Sequence, residues 1–135
     1  MADVTVTALN VAPAGQCSIR VVQLGETVTH GQVLYQKTTD RKYWLADADA
    51  SDTALAQGIA LHGGAANDYV VMAVAGPVDV GGTLTVGTTY VVSTTAGGIA
   101  PLADLGSGDF VTILGTASAA GVLPLSIERT EIAKA

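Results

Sequence analysis

Apolar and polar residues alternate along most of this chain at the two-residue period of a β-strand, and turn residues interrupt the alternation every few positions. Asp3-Val4-Thr5-Val6-Thr7 alternates, and Pro13-Ala14-Gly15 breaks the pattern, so residues 1–16 read as an extended N-terminal arm. Residues 17–24, CSIRVVQL, read as a first core strand. Gly25-Glu26 and Gly31 then turn the chain into a strand over 32–38, with Val33 and Tyr35 on one face. Asp40-Arg41-Lys42 makes a hairpin turn, and 43–46 is the return strand. A polar turn over 47–53 leads into a short helical turn over 54–57 and a strand over 58–61. After a loop at 62–68, a strand over 69–74 runs up to Gly76-Pro77. The second half repeats the plan. A turn module at 81–87 precedes a strand over 88–94, a hairpin at 96–98 and a return over 99–103. A strand over 110–114 and a last core strand over 123–128 follow, and 129–135 reads as a loose tail. Short strands with turn signals every 8–12 residues predict an all-β fold, a compact barrel or sandwich with minimal helix.

The two halves share more than a plan. Residues 25–35 read GETVTHGQVLY and residues 81–91 read GGTLTVGTTYV. At a shift of 56, Gly25, Thr27, Thr29, Gly31, Thr38 and Thr39 meet Gly81, Thr83, Thr85, Gly87, Thr94 and Thr95. After one inserted residue, Leu45-Ala46-Asp47 meets Leu102-Ala103-Asp104, and Gly58 meets Gly115. Repetition at this length marks a supersecondary unit used twice. Two copies are too few for a solenoid. The expectation is therefore one β domain over 17–128, containing repeats at 25–71 and 81–127, with Gly25, Gly31, Gly81 and Gly87 as its structural turn glycines.

Composition sharpens the picture. Hydrophobic residues make up 49% of the 135, charged residues 13% and aromatics 4%, with 16 Gly and 16 Thr. This is the chemistry of sheets and tight turns. So little charge leaves a weakly polar surface, comfortable against another protein. The net charge is -6, and no Lys or Arg occurs between Tyr43 and Ile127, a stretch that carries seven Asp. Phosphate binding needs clustered cations. The only cluster, Lys37, Arg41 and Lys42, has Asp40 inside it, so nucleic acid is excluded as a partner. A lone Cys17 excludes an intramolecular disulfide. MADVTVTALN has neither a basic start nor an apolar core, so no secretory signal is expected there. No apolar run is long enough for a membrane-spanning helix.

Candidate chemistry is sparse. His30 and His62 sit in turns without a neighbouring acidic motif, and no Cys or His pair has metal spacing. Asp47, Asp49 and Asp52 alternate as in a calcium loop but lack its central Gly and late Glu. The spacing G-x-x-V-x-x-G-Q-x-L over Gly25–Leu34 resembles the approach to the acceptor hairpin of biotinyl and lipoyl carrier domains. Lys42, however, lies between Arg41 and Tyr43 rather than in that family's acceptor context, and the second copy has Gly97-Gly98 at its hairpin. No catalytic residue, cofactor or metal is expected. The alternating arm, through Val4, Val6, Leu9 and Val11, is the candidate partner-binding segment, able to add a strand to a neighbour's sheet.

Taken together, the residues resemble a family of small structural proteins of tailed bacteriophages, the capsid cement or decoration proteins. The resemblance rests on MADVTVTALNVAPAG, GETVTHGQVLY, YWLADADASDTALAQGIAL and GGTLTVGTTYVVSTTAGGIAPLADLGSGDFVTILG, in that order, and covers nearly the whole chain. It implies a virion structural protein on the capsid exterior, made in the host cytoplasm. It also implies the major capsid protein and sister copies, as a homotrimer, for partners, with no membrane or nucleic acid. A head-fibre or tail adhesin module of the virion is the alternative, and a cellular enzyme or carrier a third class.

Overall fold

The computed structural model describes Val4 and residues 11–134; Val6 and Leu9 of the candidate arm lie outside the described residues. Eleven strands follow one another: β1 (Val11–Pro13), β2 (Ser18–Gln23), β3 (Val33–Gln36), β4 (Tyr43–Leu45), β5 (Ala56–Ala60), β6 (Tyr69–Val80), β7 (Thr89–Val92), β8 (Ile99–Pro101), β9 (Phe110–Thr116), β10 (Val122–Leu125) and β11 (Glu128–Ala133). One turn of 3-10 helix, Leu102–Asp104, completes the described elements. The fold is all-β, with two antiparallel sheets. The larger runs β1-β6-β5-β3-β4, with β2 and β10 also on β6, and the smaller runs β11-β9-β7-β8.

The strand pairings of the two repeated segments agree position by position. In the first, Leu34↔Leu45, Tyr35↔Trp44 and Gln36↔Tyr43 join β3 to β4. Moved by 56 residues, the same pairs are Tyr90↔Pro101, Val91↔Ala100 and Val92↔Ile99, which join β7 to β8. Across the other edge, Val33↔Ile59, Leu34↔Gly58 and Tyr35↔Ala56 correspond to Thr89↔Thr116, Tyr90↔Gly115 and Val91↔Ile113. Even the register slip recurs, between Leu34 and Tyr35 and between Tyr90 and Val91. Turn chemistry follows suit. Gly31 and Gly87 have φ of 82° and 84°, and each donates its N–H across the sheet, to Ala60 and Ala117. Only glycine takes that conformation without strain. At the hairpin tips the left-handed residue is Arg41 in one segment and Gly97 in the other.

What differs is the way the matching faces are used. Leu24, Val28, Leu34, Tyr43 and Ala60 pack together in a separate buried cluster on one face of the larger sheet. Their counterparts Val80, Leu84, Tyr90, Ile99 and Ala117 lie in the main core between the sheets. Conversely, Tyr35 and Ala56 are in the main core, whereas Val91 and Ile113 belong to a third cluster with Ala48 and Leu105. The segments therefore stack front to back, the inner face of the first against the opposite face of the second. A β-strand carries apolar residues on both faces when both are covered, and this accounts for the near-continuous runs VLY and YVV.

Three expectations need correction. The strand after residue 69 continues through Gly76-Pro77 instead of ending there. Gly76 turns with φ of 99°, and Pro77 stands opposite Pro124, where neither residue has an N–H to offer the ladder. The Pro77 carbonyl is still satisfied, by the Ala14 N–H and the Cys17 Sγ. β6 thus carries β2 and β5 on its first half and β1 and β10 on its second. The helical turn lies earlier than 54–57, with Ala54 N–H donating to the Ala50 carbonyl, and Ala56 already belongs to β5. The tail read as loose from 129 is β11, paired to β9 around a bulge at Thr130 and Glu131. The Thr130 hydroxyl donates to the Val111 carbonyl and so covers the gap the bulge opens.

Candidate interaction surface

Most of the aspartates that could carry chemistry hold turns. Asp47 accepts from the Asp49 N–H (3.0 Å) and the Thr53 hydroxyl (2.9 Å), and Asp52 accepts from the Thr53 N–H (2.9 Å). These carboxylates cap their own loop. Asp40 accepts from the Lys42 N–H and from the Trp44 indole, while Lys42 Nζ reaches Asn67 Oδ1 at 2.7 Å. Lys37 lies 3.9 Å over the Trp44 ring. Beneath that indole is Gly25, where a Cβ would fall 2.2 Å from a ring carbon. A glycine is needed there because the ring rests on the backbone.

The two histidines come close, with ring centroids 6.5 Å apart. His62 Nε2 accepts the Val71 N–H at 3.0 Å, so the ring proton sits on Nδ1, which faces the Gly63 carbonyl at 3.2 Å. His62 is thus a structural clip between the 62–68 loop and β6. Among the described residues, no three His, Cys, Asp or Glu side chains converge on a metal site. A cleft of about 290 Å³ opens between Thr29–Gln32 and Thr95–Ile99, and among the described residues His30 is the one titratable group lining it. Burial raises the Tyr35 hydroxyl above its ordinary pKa, and Asp52, Asp47, Glu26 and Asp40 add to the effect. A phenol held neutral in this way is no nucleophile.

The arm residues take different places. Val4 is half-buried against the main core and donates its N–H to the Ile99 carbonyl at 2.8 Å, covering the outer edge of β8. Val11 begins β1, opposite Val80. Both described arm residues engage this chain's own sheets. Gly31, Gly81 and Gly87 adopt positive φ in their turns, and Gly25 cradles Trp44.

The surface that sequence reasoning missed is β2. CSIRVVQL reads as a core strand, yet only Val22 and Leu24 are buried, and Ile19 and Val21 are 58% and 64% exposed. Among the described residues, β2 is laddered to β6 along its length, and on its other side it meets β4 only at its end, where Leu24 bridges to Tyr43 in parallel. Ile19 and Val21 share a face, and Tyr69, 67% exposed, continues it from β6 opposite Gln23. The signal was present in the sequence: Arg20 breaks the apolar run, as expected of a strand with an outward edge. Comparison with protein-family models, with curated protein sequences and with solved structures returns no match.

Proposed function

We propose that this chain is a capsid cement, or decoration, protein of a tailed bacteriophage, bound to the outside of an icosahedral shell and bridging neighbouring capsid subunits. The observation that carries the reading is a body whose polar side chains cap turns and whose outward feature is an apolar strand edge. Such a surface suits contact rather than chemistry. The end-to-end resemblance to phage cement proteins supplies the setting. A protein that binds only the assembled lattice stabilises it by mass action, and many weak copies act together. The low charge suits close packing against capsid and sister copies, in a homotrimer, and the acidic balance disfavours DNA. No reaction is asked of it.

Reconstruction of the intact particle tests the reading. The proposal expects a copy on the head surface at every equivalent subunit junction, hundreds per particle. A handful of copies confined to the tail would overturn it and favour the adhesin alternative.

A further inference from the structure

We propose that the free edge of β2 takes an extended peptide strand from another protein, one that alternates apolar residues with a carboxylate facing Arg20. The inference stands independently of the capsid reading. The first ground is a contrast among the edges. β8 is covered by Val4, and β4 is met by Gly25, whose N–H reaches the Tyr43 carbonyl, and by the Glu26 carboxylate on the Leu45 N–H. β11 is broken by its bulge and carries Glu128, Arg129 and Glu131. Bulges and charges are the usual means of keeping an edge from pairing. β2 has neither a bulge at its centre nor a second charge. Its register slip lies at its start, between Ser18 and Ile19, and from Ile19 to Gln23 it pairs residue for residue with β6.

The second ground is the side chains. An added strand draws affinity from main-chain hydrogen bonds and specificity from alternate side chains. Ile19, Val21 and Tyr69 offer one apolar face, and Arg20 stands on the other with no ion pair among the described residues. Arg20 is the one charged residue of β2, and it sets the sign of what fits opposite it. A second copy would bring a second Arg20 to the same edge, and like charges across a strand pair disfavour self-pairing there.

The probe is the capped hexapeptide Thr-Val-Glu-Val-Thr-Val, titrated into the full-length protein at low salt and followed by amide chemical shifts. Its valines face one way and its glutamate the other. Shifts should concentrate on residues 18–23 and 69–73. Replacing Glu with Lys should weaken binding about fivefold, the upper range for opposite-charge cross-strand pairs. N-methylation of alternate peptide amides should abolish it. Arg20→Glu, at an exposed position, should reverse the Glu/Lys preference, and Arg20→Gln should erase it. Equal binding of the Glu and Lys peptides, or shifts centred away from β2, would overturn the proposal. So would sedimentation showing a dimer that Arg20→Glu dissociates, because a second copy would then occupy the edge.

Discussion

Gly58→Ala and Gly115→Ala test two equivalent close approaches of the repeat, of β5 to β6 and of β9 to β10. The two glycines occupy the same place in the repeat, each opposite the register slip, across from Leu34 and Tyr90. A Cβ at Gly58 would lie 2.2 Å from the Ala73 carbonyl oxygen, and one at Gly115 would lie 2.1 Å from the Pro124 carbonyl oxygen. A close carbon–oxygen contact needs about 3.3 Å, so each falls short by roughly 1.1 Å. Neither oxygen belongs to a side chain that can swing away, so a whole strand must shift. Overpacking of this kind costs about 3 kcal/mol. The loss of unfolded-state freedom on replacing Gly returns about 0.5–1 kcal/mol. Each variant should therefore lose about 2 kcal/mol, or roughly 6–8 °C in Tm for a domain of this size. Gly87→Ala is the control: nothing lies within 4 Å of its Cβ, and only the positive φ opposes it. It should lose about 1 kcal/mol. Urea unfolding with calorimetry supplies the measurement. If Gly58→Ala or Gly115→Ala unfolds within about 0.5 kcal/mol of the parent, the close approach of those strands is wrong.

Three further outcomes follow from particular residues. Arg41→Gly should stabilise the protein by up to about 1 kcal/mol, read as a shift of the urea midpoint, because Arg41 holds a φ of 58° where the second segment has Gly97. Burial raises the Tyr35 hydroxyl pKa and nearby carboxylates reinforce it, so the unfolded chain ionises first. Stability should hold below the ordinary tyrosine pKa of about 10 and fall as pH rises from there through the raised folded value; Tyr35→Phe should flatten that fall, and an unchanged slope would contradict it. Deleting residues 2–12 should lower Tm measurably, since it removes Val4 from the core and two residues of β1 from β6; an unaltered melting curve would count against those contacts.

Much of the fold was legible because its signals are local. Turn glycines, hairpin tips and two-residue alternation depend on residues close in sequence, and they locate β3, β4, β7, β8 and β9 closely. The features that escaped depend on partners far away in the chain. Nothing local says that the strand after Tyr69 passes through Gly76-Pro77; it does so because Pro124, itself without an N–H, lies opposite. Nothing in ERTEIA marks a strand until β9 supplies an edge for it. The same applies to β2. CSIRVVQL is apolar enough for a core strand, and only the tertiary arrangement, which buries the face of Val22 and Leu24 and leaves the opposite face uncovered, exposes Ile19 and Val21. The carboxylates and histidines were legible as turn residues, but the His62 clip to Val71 needed the loop's closure onto β6 to become visible.

The central claim, that this protein holds a shell together by binding across its subunits, is tested most directly by thermal release of DNA from particles with and without it. Particles are stripped of the protein, and one half is reloaded with the purified full-length chain. The account predicts that stripped particles release DNA at a lower temperature and that reloading restores the original profile. Identical release profiles, with the protein shown to be present at high copy number on the untreated heads, would contradict it.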